Sequence, residues 1–205
     1  MLERFRRFWT SLLAPVARLL LRVGVSPDAV TLIGTLGVSA AALVCFPRGQ
    51  LWLGVVLVGV FVFSDLVDGH MARSSGRSTT WGAWLDSTLD RVGDAAVFGG
   101  LVLWFAWGGD DRVLMAVSLW CLVAGSLTSY ARAKAESLGM QAKGGIAERA
   151  DRLATVLLAT FFSDVLDLEI LLAVTLWVLA IASTVTVVQR ALAVRRQALA
   201  GHART

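Results

Sequence analysis

Apolar runs close to 20 residues long recur along the chain, broken by short polar or glycine- and proline-marked segments. About 20 residues of helix cover the roughly 30 Å hydrocarbon core of a bilayer, so the pattern predicts membrane-crossing helices. Ser26-Pro27-Asp28 reads as the start of the first: a capping hydroxyl, proline at the first helical position, then an acid in the first turn. That span is expected over 29–46, and Pro47-Arg48-Gly49 ends it. A second runs from 51 into the region of Asp65 and Asp68. A third covers 82–107 and stops at Gly108-Gly109-Asp110-Asp111; a fourth covers 113–134, a fifth 150–163 and a sixth 168–189. Lipid admits only helices or closed barrels. The expected fold class is therefore all-α, an integral membrane bundle of six transmembrane helices.

Residues 1–22 depart from this pattern. Arg4, Arg6, Arg7, Arg18 and Arg22 alternate with Phe5, Phe8, Trp9, Leu12, Leu13, Leu19 and Leu20. The alternation predicts an N-terminal amphipathic helix lying in the interface; an ordinary surface helix is the blander alternative. The segment contains Pro15 and no uninterrupted apolar core, so a cleaved signal peptide is not expected. The expected organisation is an interfacial helix over 1–22, a six-span domain over 23–192 and a basic cytoplasmic tail over 193–205.

Composition agrees with a membrane protein: of 205 residues, 57% are hydrophobic and 17% charged. The net charge of +4 matters less than its placement. When the six spans alternate from an N-terminus on side one, only Arg48 and Arg112 of the 19 basic residues fall on side two. Side-two turns carry Asp110, Asp111, Asp164, Asp167 and Glu169 instead. Basic loops mark the cytoplasmic face, so both termini are expected in the cytoplasm and the protein in the cell membrane. Trp104 and Trp107 near a span end suit an aromatic belt. Cys45 and Cys121 sit in apolar runs without CxxC spacing and read as small packing residues. His70 and His202 are too far apart for a histidine metal site, and no nucleic-acid partner is expected.

The chemistry concentrates in SDLVDGHMARSSGRSTTWGAWLDSTLD, residues 64–90. Asp65 and Asp68 are three apart near the cytoplasmic end of span two, and Asp86 and Asp90 are four apart at the start of span three. Each pair shares a helix face, and the short loop 74–81 makes the two spans neighbours. Ionised carboxylates repel in a low dielectric and are costly in a membrane. Hard divalent cations relieve that cost; Mg²⁺, Mn²⁺ and Ca²⁺ suit an all-oxygen set, and four acids suit two ions. Gly69 and Gly82 admit a ligand close to the backbone, and Arg73 can face an anion. Such a set describes a site for a phosphate-bearing substrate. The alternative is solvated helix ends, or ion pairs with Arg73, Arg77 and Arg91.

Written out, the stretch is Asp65-x2-Asp68-Gly69-x2-Ala72-Arg73-x8-Gly82-x3-Asp86-x3-Asp90. It resembles the full signature of the CDP-alcohol phosphatidyltransferase family. The resemblance implies an enzyme in which an alcohol hydroxyl attacks the lipid-linked phosphorus of a CDP-lipid and CMP leaves. It implies that Asp65, Asp68 and Asp86 hold the metals, with Asp90 shared between a second metal and proton abstraction. Two Mg²⁺ ions are the implied cofactor, with Mn²⁺ as the substitute. Gly69 and Arg73, with Thr79, would contact the donor diphosphate; Asp28 and Thr31 would lie near its cytidine or pyrophosphate end. A homodimer in membrane lipid is expected by the same resemblance.

A second cluster bears on the acceptor: Ser129-Tyr130-Ala131-Arg132-Ala133-Lys134, Lys143-Gly144-Gly145, Glu148-Arg149-x2-Arg152, and Arg190. Arginines bind phosphate bidentately, so Ser129, Arg132, Arg152 and Arg190 are candidate ligands of an acceptor phosphate. Lys143, Arg195, Arg196 and Arg204 read instead as lipid-facing charge. SYxRAKAExxG, GGxxERxxRL and VVQR resemble the actinobacterial phosphatidylinositol-phosphate synthase branch, whose acceptor is an inositol phosphate. Glycerol 3-phosphate, as in phosphatidylglycerophosphate synthases, is the alternative acceptor. An ion-coupled transporter is the alternative of another class, disfavoured because all four acids sit at one membrane face.

Overall fold

The structure, a computed structural model, describes residues 15, 19–74, 79–142, 144–146 and 148–202, with the backbone alone described at 63–70, 72–74 and 201–202. Most of the expected interfacial helix, residues 1–14 and 16–18, therefore lies outside the described residues. Among the described residues the fold is all-helical, without a strand. Helix α1 spans Pro27–Cys45 and runs into a 3-10 turn at Phe46–Arg48; α2 spans Leu51–Ser74, α3 Thr80–Trp107, α4 Arg112–Ser137, α5 Arg149–Val165 and α6 Glu169–His202. A helix stands at each of the six expected positions.

Local chemistry explains the boundaries. Ser26 Oγ accepts from the Ala29 N–H at 3.2 Å and caps α1. Pro47 cannot continue a helix, and Gly49 takes φ +74 to close the turn, its N–H bonded to the Phe46 carbonyl at 2.9 Å. The Asp111 carboxylate accepts from the N–H groups of Val113 and Leu114, both at 2.9 Å, and starts α4. Gly139, at φ +73, ends it, with the Met140 N–H bonded to the Ala135 carbonyl at 2.9 Å. Helix α6 continues past the expected end at 189 as far as His202. Ala, Leu, Arg and Gln dominate that extension and all favour helix.

Among the described residues, three segments are long and apolar enough to cross a bilayer: Pro27–Arg48, Arg112–Ser137 and Glu169–Ala200. The apolar part of α2 is shorter, Leu51–Val62. Helix α3 carries Asp86, Asp90, Arg91 and Asp94, and α5 has 17 residues. Large apolar side chains face outward, among them Ile33 and Leu36 on α1 and Ile170, Val174, Val178 and Ile181 on α6. An apolar exterior suits hydrocarbon, where it has no water to avoid.

The described chain packs as two compact units: α1 to Val44 with Val56–Val97, and Cys45–Val55 with the chain from Phe98 onward. In the first unit, Met71 and Val30 are buried together beneath Leu20, Leu21 and Val25. Residues 19–22 form a helical turn closed by Gly24 at φ +85, with the Val25 N–H bonded to the Leu20 carbonyl at 3.0 Å. The Phe61 ring lies on Gly37, where any side chain would collide with it. In the second unit, α6 packs against α4 and α5. Helices α4 and α6 run in the same direction: Cys121 Sγ donates to the Leu176 carbonyl at 3.4 Å, and Arg190 Nη1 to that of Thr128 at 2.6 Å. Asp164 at the end of α5 accepts from the Trp52 N–H at 2.7 Å and so caps the start of α2. Both cysteines are free and buried, as their sequence setting predicts.

Candidate active site

The first unit contains the acids. Helix α2 is continuous through 65–74, so Asp65 and Asp68 stand one turn apart on its backbone. The side chains of Asp65, Asp68, Gly69 and Arg73 lie outside the described residues. On α3, Asp86 is exposed and Asp90 half-buried. Asp86 makes no hydrogen bond or ion pair among the described residues. Asp90 is engaged: Arg91 Nη2 lies 3.8 Å from Asp90 Oδ2 and 3.7 Å from Asp94 Oδ2. Those separations sit at the outer limit of an ion pair. Asp94 is a residue that sequence reasoning passes over. Spacing of four from Asp90 puts Asp86, Asp90 and Asp94 along one face of α3, and helical periodicity extended one turn finds it. Hard oxygen donors on two consecutive helices fit a divalent cation in chemistry. Among the described side chains, no three metal donors converge by themselves.

At the start of α3, Thr79 Oγ1 accepts from the Gly82 N–H at 3.0 Å and caps the helix. A Cβ on Gly82 would lie 3.7 Å from Asp28 Oδ1 and 3.3 Å from Thr79 Oγ1. The structure therefore brings Asp28, Thr79 and Gly82 together where α1 and α3 begin. Trp81, unforeseen from sequence, donates its indole N–H to Asp28 Oδ2 at 3.1 Å and stacks on Trp84 at 5.3 Å between ring centroids. Thr31 is buried one turn along α1, its hydroxyl donating to the Pro27 carbonyl at 3.1 Å.

The second unit holds the basic set. Arg152 is 3% exposed and Arg190 6%; two guanidinium groups are thus removed from water at a cost of several kcal/mol each unless compensated. Arg152 lies flat on Gly125: a Cβ there would be 3.1 Å from Nη2 and 3.3 Å from Cζ. Its Nη2 donates to the Gly125 carbonyl at 3.5 Å, and Ser129 Oγ donates to the same oxygen at 3.4 Å. Arg190 donates to two main-chain carbonyls, Nη1 to Thr128 at 2.6 Å and Nε to Gly144 at 3.1 Å. Ser129, Arg152 and Arg190 therefore gather on residues 125–129 of α4. Arg132 does not join them: it pairs with Glu136 at 3.0 Å, both about half exposed. Two main-chain carbonyls accept from Arg190, Glu148 and Glu136 offset part of its charge from a distance, and among the described residues it has no salt bridge.

Comparison with known proteins agrees with this chemistry. Residues 24–188 match the family model described as CDP-alcohol phosphatidyltransferase. A phosphatidylinositol phosphate synthase of Streptomyces avermitilis is 50% identical over 212 aligned positions, covering 100% of this chain and 87% of that protein. One from Cutibacterium acnes is 49% identical over 203, covering 96% and 98%. A crystal structure of the Mycobacterium tuberculosis phosphatidylinositol phosphate synthase with CDP-DAG bound superposes with a TM-score of 0.86 at 45% identity, covering 92% of this chain and 94% of that one. The same protein in complex with manganese and citrate gives 0.85, also at 45% identity, covering 89% and 88%. With both carboxylate-bearing helical segments inside the matched region, the chain belongs to the CDP-alcohol phosphatidyltransferase family.

Proposed function

We propose that this enzyme transfers the phosphatidyl group of CDP-diacylglycerol to a hydroxyl of an inositol phosphate, giving phosphatidylinositol phosphate and CMP. Its relatives of 44–50% identity bear the name of that synthase. The observation that carries the acceptor is the buried pair Arg152 and Arg190 beside Ser129, two cations suited to a phosphate dianion.

The residues then divide the work. Asp28, Thr31, Gly69, Arg73 and Thr79 bind the CDP-lipid, the glycine by admitting the diphosphate to the backbone and Arg73 by countering its charge. Ser129, Arg132, Arg152 and Arg190 orient the acceptor through its phosphate; Arg132 gives up a weak surface pair to do so. Asp90 takes the proton of the attacking hydroxyl. A new oxygen–phosphorus bond forms at the lipid-linked phosphorus, the bond to CMP breaks, and CMP keeps the oxygen. Asp65, Asp68, Asp86 and Asp90 would hold Mg²⁺ or Mn²⁺, which when bound offsets the charge of the diphosphate and of departing CMP.

The chain is an integral membrane protein by its apolar helices and its family. We extend this to six crossings, with α2, α3 and α5 completing the bundle, both termini in the cytoplasm and the site open to that side. The one-sided distribution of basic residues supports this topology. By the same reading residues 1–22 serve at the membrane interface, 23–192 make up the catalytic domain and 193–205 a basic segment on the cytoplasmic side, and the enzyme works as a homodimer. Purified protein with CDP-diacylglycerol and Mg²⁺ tests the acceptor, given inositol phosphate, glycerol 3-phosphate, free inositol or serine. CMP release with inositol phosphate alone is expected; release with glycerol 3-phosphate alone would overturn the acceptor and leave the carboxylate chemistry standing.

A further inference from the structure

The segment that joins α4 to α5 is held along one stripe of α6. Thr186, Arg190 and Gln197 are four and seven residues apart, which places them on a single helix face. Gln197 grips the main chain of Gln141 from both sides: its Oε1 accepts from the Gln141 N–H at 2.9 Å and its Nε2 donates to the Gln141 carbonyl at 2.6 Å. Arg190 Nε takes the Gly144 carbonyl at 3.1 Å. Thr186 lies against Gly145 so closely that a side chain there would collide with it. The segment therefore runs against the direction of α6, pinned at three points. Residue 143 lies outside the described residues.

These contacts bear on Arg190. Its guanidinium plane is set by two carbonyls, and only that of Thr128 belongs to a helix. The other, Gly144, stands in a stretch where Gly144 has φ +93 and Gly145 φ +139, conformations that no helical ladder maintains. The two-sided amide grip on Gln141 anchors that stretch from α6 itself, two turns beyond Arg190.

We propose that Gln197 is a positioning residue for the acceptor site: by anchoring Gln141 it holds the Gly144 carbonyl where that carbonyl orients Arg190. This rests on the proposed role of Arg190 at the acceptor phosphate. The sequence marks 193–205 only as a basic tail, yet its helical part sets the geometry of an acceptor arginine. Gln197 touches no substrate; it acts through the strap.

The test uses the full-length protein and steady-state CMP release. Gln197→Met keeps the length and helix preference of the side chain and removes its two hydrogen bonds to Gln141, along with the one that Nε2 donates to the Ala193 carbonyl at 3.1 Å. It is expected to raise the KM for inositol phosphate about tenfold, with kcat, the KM for CDP-diacylglycerol and the melting temperature unchanged. Gln197→Glu, which keeps only the acceptor half of the grip, should raise it less. Arg190→Gln, measured alongside, should raise the same KM further, and adding Gln197→Met to it should have no additional effect. Amide exchange at Gln141 should quicken in Gln197→Met. If Arg190→Gln raises the acceptor KM and Gln197→Met does not, the positioning role fails alone. If Arg190→Gln leaves that KM unchanged, the acceptor reading fails and the proposal with it. If the two substitutions add, the route through Arg190 is refuted.

Discussion

Replacing Gly125 with alanine should damage acceptor binding at only a small net cost to the stability of the fold. The added methyl would stand 3.1 Å from Arg152 Nη2, 3.3 Å from its Cζ and 3.4 Å from its Nε. Unstrained contacts of this kind need about 3.5–4.0 Å, so the guanidinium must lift by about 0.5 Å. That movement is sterically cheap, because the obstructing atoms are the end of a flexible side chain. It nonetheless breaks the bond to the Gly125 carbonyl, already 3.5 Å long, and shifts the charge off its aim. A charge-assisted hydrogen bond is worth about 1.5–3 kcal/mol, so the KM for inositol phosphate should rise by at least about tenfold. Alanine in mid-helix meanwhile gains about 1 kcal/mol over glycine, which works against any loss of stability. Steady-state CMP release with each substrate varied, beside a melting curve in detergent, separates the two effects. An unchanged acceptor KM, or an equal rise in the KM for CDP-diacylglycerol, would refute the reasoning and remove Arg152 from the acceptor pocket.

Other substitutions test other parts. Asp90→Asn should lower kcat by about 10²–10⁴ while CDP-diacylglycerol binding, measured by calorimetry, is largely kept; loss of both would make Asp90 chiefly a metal ligand. Gly37→Ala should destabilise the protein by about 1–3 kcal/mol through its collision with the Phe61 ring, and Phe61→Leu in the same chain should restore much of the melting temperature. Removing divalent ions with EDTA should abolish turnover, with Mg²⁺ or Mn²⁺ restoring it; activity that survives chelation would overturn the metal role of the four acids.

What could be read in the sequence followed from short-range rules. Ser26-Pro27-Asp28 and Pro47-Arg48-Gly49 fix the ends of α1 by capping and by the missing proline N–H, and the structure places both as those rules require. The acids were legible because their meaning lies in spacing along a helix. Asp94 was equally legible, and an α3 face followed for one more turn reveals it. Trp81 was not, because its bond to Asp28 joins residues 53 apart. Nor was the gathering of Ser129, Arg152 and Arg190 on Gly125 and Thr128, which depends on how α4, α5 and α6 pack. Charge alone marks Arg132 as their equal, and the structure pairs it with Glu136 one turn away. The extension of α6 was missed for a related reason: Arg195 and Arg196 signal an interface by charge, while the Gln197 that docks this helix has no charge to notice.

We propose that the acids and the buried arginines serve one transfer, from CDP-diacylglycerol to a phosphorylated inositol. The most direct test supplies the purified protein with Mg²⁺, CDP-diacylglycerol and inositol phosphate labelled in its phosphate, and follows label in the lipid phase against CMP released. One labelled lipid is expected for each CMP, with both slowed about 10²–10⁴-fold in Asp90→Asn. CMP release without label in lipid would mean hydrolysis or another acceptor, and would contradict the proposal.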